Sequence, residues 1–245
     1  MKDNFSRNSS DYAKYRPDYP QELFQYIRKL APGNAAAWDC GTGNGQVASA
    51  LTNYFERIEA TDLSSQQISH AILHPQIRYS VALAEKTNFA NSEFDLIAVG
   101  QALHWFNLEK FYAEADRVLK PGGILAVFGY PVPLVDEPLN SAFLHFYTAI
   151  IGPYWDKERH HIDEKYASLP FPYEEIPHPE FFSRYQWTFE QFMGFLSTWS
   201  GVAHYKTQRN EDPIARYHNE LREAWGATES KKVEFEIFCK IGRKP

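Results

Sequence analysis

Short apolar runs alternate with helical patterns through the first 130 residues of this 245-residue chain. The clearest run, FDLIAVG at 94–100, is apolar at nearly every position, which is typical of a strand covered on both faces of a parallel sheet. Similar runs occupy 35–40, 57–62, 77–82 and 124–130, with helical spacing between them. Strands that alternate with helices predict a doubly wound α/β fold with a mostly parallel sheet.

The pattern changes after Tyr130. Residues 131–180 contain eight prolines and helical stretches near 139–151 and 156–168, which predict a helical insertion after the fifth strand. Further strands at 182–188 and 233–241 bring the expected sheet to seven, with helices at 189–198 and 213–225. The last strand alternates polar and apolar residues, so we expect it to be antiparallel. We predict one domain over 1–245, in which 131–180 forms a cap.

Composition narrows the possible partners. The chain is 44% hydrophobic and 23% charged, as in ordinary globular proteins, and its net charge of −6 argues against binding to nucleic acid. No apolar run reaches membrane-spanning length, and the first residues lack the apolar stretch of a signal peptide. Two cysteines far apart in the sequence favour a reducing, cytoplasmic location. A monomer and a homodimer both remain open.

A glycine-rich turn follows the first strand, in the segment WDCGTGNGQ at 38–46. Glycines let the backbone approach a ligand closely, and the helix that follows offers free N–H groups. Asp62 ends the next strand, 21 residues after Gly41, where a carboxylate can bind the hydroxyls of a ribose. The loop and this acid together predict a nucleoside-containing cofactor. Gln46 replaces the third glycine of a dinucleotide motif, and Asp39 would repel a pyrophosphate, so NAD is disfavoured.

These motifs resemble the S-adenosylmethionine site of class I methyltransferases. The segments 84–85, 94–97 and 119–123 also resemble this family. The segments 12–20, 104–106 and 198–200 resemble its trans-aconitate methyltransferase-like branch. The resemblance implies methyl transfer from S-adenosylmethionine to a small molecule, through a carboxylate or hydroxyl oxygen. An S-adenosylmethionine-binding protein without catalysis and an NAD-dependent oxidoreductase are the alternatives. Leu83 stands where many relatives carry an aspartate that binds adenine.

The resemblance also implies a set of site residues. The expected cofactor-binding residues are Tyr15, Arg16, Asp39, Gly41, Thr42, Gly43, Gln46, Asp62, Leu63, Ala84, Glu85 and Gln101. His104 is the candidate catalytic residue, as a hydrogen-bonding group or a base, and the expected substrate contacts are Trp105, Trp155 and Trp199. We predict that these aromatic residues enclose one pocket, with residues 1–19 as its lid. His160 and His161 predict no metal site, because neighbours on a helix point about 100° apart.

Overall fold

A seven-stranded sheet forms the centre of the molecule in the computed structural model, which describes residues 15–245. The strands are β1 Ala36–Cys40, β2 Arg57–Asp62, β3 Ile77–Val81, β4 Phe94–Gly100, β5 Leu119–Gly129, β6 Phe181–Thr188 and β7 Ser230–Arg243. They stand in the order β3-β2-β1-β4-β5-β7-β6. Strands β1 to β5 are parallel, whereas β7 is antiparallel to both of its neighbours. The predicted fold class, with its antiparallel last strand, is confirmed.

Helices connect and cover these strands. They are α1 Gln21–Leu30, α2 Gln46–Leu51, α3 Ser65–Ser69, α4 Leu108–Val118, α5 Leu139–His145, α6 His160–Asp163, α7 Phe189–Ser197, α8 Ser200–Arg209, α9 Pro213–Arg216 and α10 His218–Trp225. Short 3₁₀ turns lie at Leu103–Trp105, Gly152–Tyr154 and Lys157–Arg159, and α5 continues as a π-helix over Phe146–Ile150. Within residues 15–245, none of these helices has the length and apolar character needed to cross a membrane.

The central strands are buried on both faces, as their continuous apolar runs predict. Neighbouring residues of β1 separate onto opposite faces: Ala37 joins the core under α1 and α2, whereas Trp38 joins the core under α4. The first six residues of β4 are buried, and the last, Gly100, is partly buried at the carboxyl edge of the sheet. Because β1 runs parallel to its neighbours β2 and β4, the carboxyl ends of the three strands lie side by side at one edge of the sheet.

The helical predictions after Tyr130 need three corrections. The expected helix at 156–168 is wrong, because α6 ends after Asp163 and both Lys165 and Tyr166 adopt positive φ, at 52° and 59°. The expected helix at 213–225 breaks at Tyr217 into α9 and α10. Helix α8 was not predicted, since only three of its residues are buried and its apolar pattern is weak.

Residues 131–180 share a core with the helices that follow β6. The ring of Phe143 in α5 lies 5.6 Å from Phe192 and 5.8 Å from Trp199, and Phe192 lies 5.7 Å from Trp225. Aromatic pairs at these separations contribute packing energy beyond the area that they bury. Two chain segments, before and after β6, therefore pack together as one helical layer.

Candidate active site

The glycine loop after β1 is tied to the end of β2. The backbone N–H groups of Gly41 and Thr42 both donate to the Thr61 carbonyl, at 2.8 and 2.9 Å. Gly41 has φ of +75°, and a Cβ there would come within 2.6 Å of Ala102 Cβ in the loop after β4. A side chain at this position would thus force the two loops apart, which accounts for the glycine.

Asp39 lies beneath this loop, 1% exposed. Its Oδ2 accepts hydrogen bonds from Thr42 Oγ1 at 2.5 Å and from the Ala48 N–H at 2.9 Å. Burial raises the pKa of Asp39 to about 7, against the lowering effect of these two donors. The carboxylate therefore holds the loop and α2 in place, and a cation beside it would favour its charged form.

Asp62 ends β2 at the rim of the same cleft. Its Oδ2 accepts from the Gly43 N–H at 2.8 Å, and its Oδ1 accepts from the Ser64 N–H at 2.9 Å. Each carboxylate oxygen has further lone pairs, so both can also accept from a ligand hydroxyl. The sequence predicted a ligand role for Asp62, but not this second role of fixing the glycine loop.

The edge residues enclose a cleft at the carboxyl ends of β1, β2 and β4. Predicted site residues that line it are Asp39, Gly41, Thr42, Gly43, Gln46, Asp62, Leu63, Ala84, Gln101 and Trp105. Sequence reasoning missed other lining residues: Tyr19, Asn44, Val47, Thr61, Ser64, Gln67, Ala82, Gly100, Ala102 and Tyr130. Position after a strand end was the available signal for most of these, whereas Tyr19 comes from a segment with no regular pattern.

Glu85 does not line the cleft, in contrast to its expected role at adenine. Its Oε1 accepts from the Asn107 N–H at 2.8 Å, at the start of α4. The side chain therefore turns toward the following helix, because an unsatisfied helix N-terminus offers it a donor. Leu83 is 48% exposed beside this segment, and the adjoining Ala84 and Ala82 present an apolar wall to the cleft.

The described part of the predicted lid, from Tyr15 onward, runs between α7 and the glycine-loop helix. Tyr15 packs on Gly194, where its ring leaves no room for a Cβ, and Arg16 donates to the Thr198 carbonyl at 3.3 Å. Asp18 Oδ1 accepts from Gln46 Nε2 at 3.3 Å. Tyr19 lines the cofactor cleft, whereas Tyr15 and Arg16, which were expected there, are not among its lining residues. Residues 1–14 are outside the described part of the chain.

A second, smaller cavity adjoins the cleft. Gln101 and Trp105 line both spaces. The other residues that line the smaller cavity are Arg16, His104, Trp155, Asp156, Arg159, Ile162, Trp199 and Ser200. His104, Trp155 and Trp199 therefore come together although they lie far apart in the sequence. The charged residues Arg159 and Asp156 were not predicted, because they belong to the segment in which we expected a regular helix.

Gln101 joins the two spaces through an unusual backbone conformation. Its φ is +54°, its N–H donates to the Phe128 carbonyl at 2.9 Å, and its Nε2 donates to the Tyr130 carbonyl at 2.9 Å. The side chain is thereby held against β5, and its Oε1 is buried without a hydrogen-bond partner among residues 15–245. Positive φ at a non-glycine residue is often found at functional sites.

The geometric argument against pairing His160 with His161 is wrong. Their ring centroids are 3.8 Å apart. One imidazole nitrogen of each histidine lies within 4.8 Å of a carboxylate oxygen of Glu164. His160 is the first residue of the four-residue α6, directly after a 3₁₀ turn, so regular helical spacing does not apply there. His160 and Glu164 are exposed, and His161 Nδ1 lies 3.2 Å from Ser168 Oγ.

The chemistry of the cleft suits the cofactor that the motifs imply. Asp62 provides carboxylate oxygens for a ribose diol, and the buried Asp39 provides a charge complementary to an ammonium group. The apolar wall at Ala82 and Ala84 offers a surface for a base. S-adenosylmethionine carries all three of these groups. The residues present therefore fit it.

Comparisons with known proteins agree with this chemistry. A family model of a methyltransferase domain matches residues 38–127, the part of the chain that builds the cleft. A solved structure of a candidate type II methyltransferase from Anaeromyxobacter dehalogenans is 36% identical, with a TM-score of 0.86, over 94% of this chain and 98% of that one. A candidate methyltransferase of Dictyostelium discoideum is 28% identical over 250 residues, 99% of this chain and 95% of that protein.

The name of a third relative includes the cofactor. A candidate S-adenosylmethionine-dependent methyltransferase of Saccharomyces cerevisiae is 30% identical over 145 residues, which is 55% of this chain and 50% of that protein. The near-complete match to the Anaeromyxobacter structure extends the likeness beyond the cleft to the helical layer. The chain belongs to the class I S-adenosylmethionine-dependent methyltransferases, and its cofactor is S-adenosylmethionine.

Proposed function

We propose that this enzyme methylates a carboxylate oxygen of a small anionic molecule bound in the cavity beside the cofactor cleft. When bound, S-adenosylmethionine supplies a methyl group that its sulfonium has already activated. A carboxylate needs no general base, so the protein has to orient the substrate, exclude water and balance charge. The resemblance to the trans-aconitate methyltransferase-like branch supports the same substrate class.

The two arginines of the cavity are the observation that carries this proposal. Arg16 and Arg159 line it together with one acid, Asp156. Arg159 is 18% exposed, with its Nε donating to Tyr147 Oη at 3.0 Å and its guanidinium 5.1 Å above the Trp155 ring. Arginine held in this way presents its remaining N–H groups in a fixed direction, which suits a carboxylate. Asp163 lies 3.6 Å from the Arg159 guanidinium and balances part of its charge, so it is the N–H donors of the two guanidinium groups that favour an anion over an amine.

Aromatic walls support a small and partly apolar substrate. The rings of Trp155 and Trp199 are 5.5 Å apart, and Tyr147 lies 5.4 Å from Trp155. Trp155 Nε1 is buried without an acceptor among residues 15–245, so a bound oxygen could accept a hydrogen bond from it. Such a donor costs free energy while it is unpaired, and a ligand oxygen would remove that cost. A small cavity of this kind fits a small molecule better than a macromolecule.

The shared residues support transfer between the two spaces. Gln101 and Trp105 belong to both linings, so a substrate in the cavity would lie directly beside a cofactor in the cleft. We propose that Asp62 binds the ribose hydroxyls and Asp39 the cofactor ammonium, and that Trp155 and Trp199 flank the substrate. Arg16 would then serve the substrate rather than the cofactor.

The organisation of the chain enters the same proposal. We assign a single domain over 1–245, with 1–19 as a lid and 131–180 as a cap completed by the helices after β6. Contacts of Asp18 with Gln46 and of Ser183 Oγ with the Asp18 carbonyl, at 2.6 Å, support the position of the lid. The free cysteines Cys40 and Cys239 support a cytoplasmic location. A monomer or homodimer that acts without nucleic acid or membrane is the simplest arrangement.

The test is release of S-adenosylhomocysteine across a panel of small mono-, di- and tricarboxylic acids, each beside its primary amide and its alcohol. We expect turnover with acids only, and a product ester that mild base hydrolyses. Arg159→Gln should lower kcat/KM by about 10- to 100-fold, the value of a lost charge-assisted hydrogen bond. Its affinity for S-adenosylhomocysteine, measured by calorimetry, should stay within about twofold.

Two controls make this result specific. Arg184→Gln removes another arginine, which is exposed on β6 and paired with Glu234, and should leave kcat/KM unchanged. Arg159→Lys keeps the charge and should recover part of the loss. Equal turnover of the amides or alcohols would contradict the carboxylate assignment. Tight cofactor binding without turnover on any compound would instead favour a non-catalytic binding protein.

A further inference from the structure

We propose that Tyr166 is a positioning residue that fixes the tautomer of His104, so that His104 presents an Nε2–H donor to the cavity and does not act as a base. The identity of the acceptor, a substrate carboxylate, rests on the proposed function. The tautomer itself does not. The role of Tyr166 was invisible in the sequence, because it lies 62 residues from His104 in a segment predicted to be helical.

His104 is neutral in the folded protein. It lies in the 3₁₀ turn after β4 and lines the smaller cavity. Burial lowers its pKa to about 3, and the nearby Arg159 and His161 lower it in the same direction. A neutral imidazole carries one proton, on either Nδ1 or Nε2, and its hydrogen bonds decide which.

The Nδ1 atom of His104 faces a buried phenol. Tyr166 Oη lies 2.8 Å from Nδ1, and Tyr166 is 0% exposed. Burial raises the pKa of this phenol, so it keeps its proton, while the backbone N–H groups of His104 and Leu103 are directed at its oxygen and lower the pKa. This oxygen has its hydrogen-bond partner among residues 15–245 in His104 Nδ1. Its single proton therefore has Nδ1 as its acceptor.

The opposite tautomer would leave a buried group unsatisfied. If Nδ1 carried the proton, the phenol proton would find no other acceptor among residues 15–245. Leaving a buried donor unpaired is costly, whereas the Nε2–H tautomer satisfies both side chains. Within residues 15–245, Nε2 has no hydrogen-bond partner and is not enclosed by protein, so the cavity is where it can find one.

The backbone around Tyr166 supports a functional placement. Lys165 and Tyr166 both adopt left-handed conformations, which bulky side chains rarely do. The Tyr166 N–H donates to the His161 carbonyl at 2.7 Å, and its ring packs 5.0 Å from Phe238. Strain of this kind persists where surrounding structure enforces it. Glycine would be the favoured residue for the left-handed backbone at position 166. The conformation instead places the Tyr166 phenol against the His104 imidazole.

The assignment changes what His104 can do. With Nδ1 occupied by Tyr166 and Nε2 protonated, the imidazole has no lone pair left for a substrate proton. A hydroxyl or amine nucleophile would therefore lack a base at this position. A carboxylate needs none, and its oxygen can accept from Nε2–H. The Tyr166–His104 pair thus favours carboxylates over alcohols.

The direct test is ¹⁵N NMR of the histidine side chains at pH 7, with the His104 signals assigned by their loss in His104→Gln. We expect a protonated-type shift at Nε2 and an unprotonated-type shift at Nδ1. Tyr166→Phe should convert this pattern to a mixture of tautomers. A protonated Nδ1 in the unaltered protein would overturn the proposal. Tyr112→Phe, which removes a hydroxyl bonded to the Pro170 carbonyl, should leave the pattern unchanged.

Kinetics provide a second readout with the best carboxylic acid of the panel. Tyr166→Phe should lower kcat/KM by about tenfold, and kcat/KM of the unaltered enzyme should show no ionisation of His104 between pH 6 and 8. His104→Gln keeps an N–H donor and should retain more activity than His104→Leu. In the His104→Leu background, Tyr166→Phe should have no further effect. A full additional loss there would show a merely structural role and overturn the proposal.

The outcomes for substrate and tautomer are separable. An Nε2–H signal without turnover of any carboxylate would support the tautomer assignment and contradict the proposed function. Turnover of carboxylates with a protonated Nδ1 would do the reverse.

Discussion

The cofactor cleft and the cavity beside it are constructed in opposite ways. The cleft is lined mainly by residues at successive strand ends, and backbone groups such as the Gly43 N–H fix its shape. The cavity is lined by side chains from segments that lie far apart, among them Arg16, Arg159 and Trp199. Changes in the first region should therefore alter the fold and cofactor affinity, and changes in the second should alter substrate use alone.

The glycine loop should show the largest effect. Gly45 has φ of +87°, and a Cβ there would lie 2.1 Å from Tyr79 Oη, whereas a Cβ at Gly43 would meet no atom of residues 15–245 within 4 Å. Gly45→Ala should cost about 3 kcal/mol of unfolding free energy, from the left-handed backbone and the overlap together. Gly43→Ala should cost about 1 kcal/mol, from the backbone alone. Urea unfolding measures both.

A second substitution isolates the overlap. In a Tyr79→Phe background the hydroxyl oxygen is absent, so the cost of Gly45→Ala should fall, although the ring carbons remain close. The cost of Gly43→Ala should not change in that background. Equal costs for the two alanines would contradict the packing described for the loop.

Asp62 should show the next effect, divided between affinity and stability. Asp62→Ala should weaken S-adenosylhomocysteine binding by about 10- to 150-fold, the range for hydrogen bonds to a charged group. Because the carboxylate also accepts from the Gly43 and Ser64 N–H groups, unfolding free energy should fall by about 1 to 2 kcal/mol. Calorimetry and urea unfolding measure the two losses.

The matched control for Asp62 is Asp62→Asn, which keeps one accepting oxygen. It should lose affinity while retaining more stability than Asp62→Ala. Neither variant should change the KM for the methyl acceptor. Normal affinity in Asp62→Ala would rule out the ribose role.

Local signals explain why about half of the cleft-lining residues were predicted, whereas the charged residues Asp156 and Arg159 of the cavity were not. Asp39, Gly41 and Asp62 carry their meaning in short spacings and in their position after a strand, which a sequence displays directly. Arg159 and Tyr166 depend on where a strained, irregular segment packs, and no periodicity encodes that. Glu85 accepts from the Asn107 N–H at the start of α4, and its role at adenine stays a prediction. Trp155 and Trp199 were expected together from the family resemblance and from aromatic composition.

Asp39 provides the finest test of this comparison, because ionisation of its buried carboxyl group should lower the stability of the fold and raise the affinity for the cofactor. Burial raises its pKa from 3.8 to about 7 in the ligand-free protein. A raised carboxyl pKa contributes stability that is present below the unfolded value and is lost as pH rises through about 7. Asp39→Asn, whose amide oxygen can still accept from Thr42 and Ala48, should therefore be more stable than the unaltered protein at pH 7.5 without ligand.

The cofactor affinity should change with pH in the opposite direction, since an ammonium group favours the ionised acid. Between pH 7.5 and 6, affinity for S-adenosylhomocysteine should fall about eightfold, with proton release measurable by calorimetry in buffers of different ionisation enthalpy. Asp39→Asn should bind weakly and show neither the pH dependence nor the proton release. If it binds as tightly as the unaltered protein, the carboxylate serves only to hold the loop, and the ammonium must be bound elsewhere.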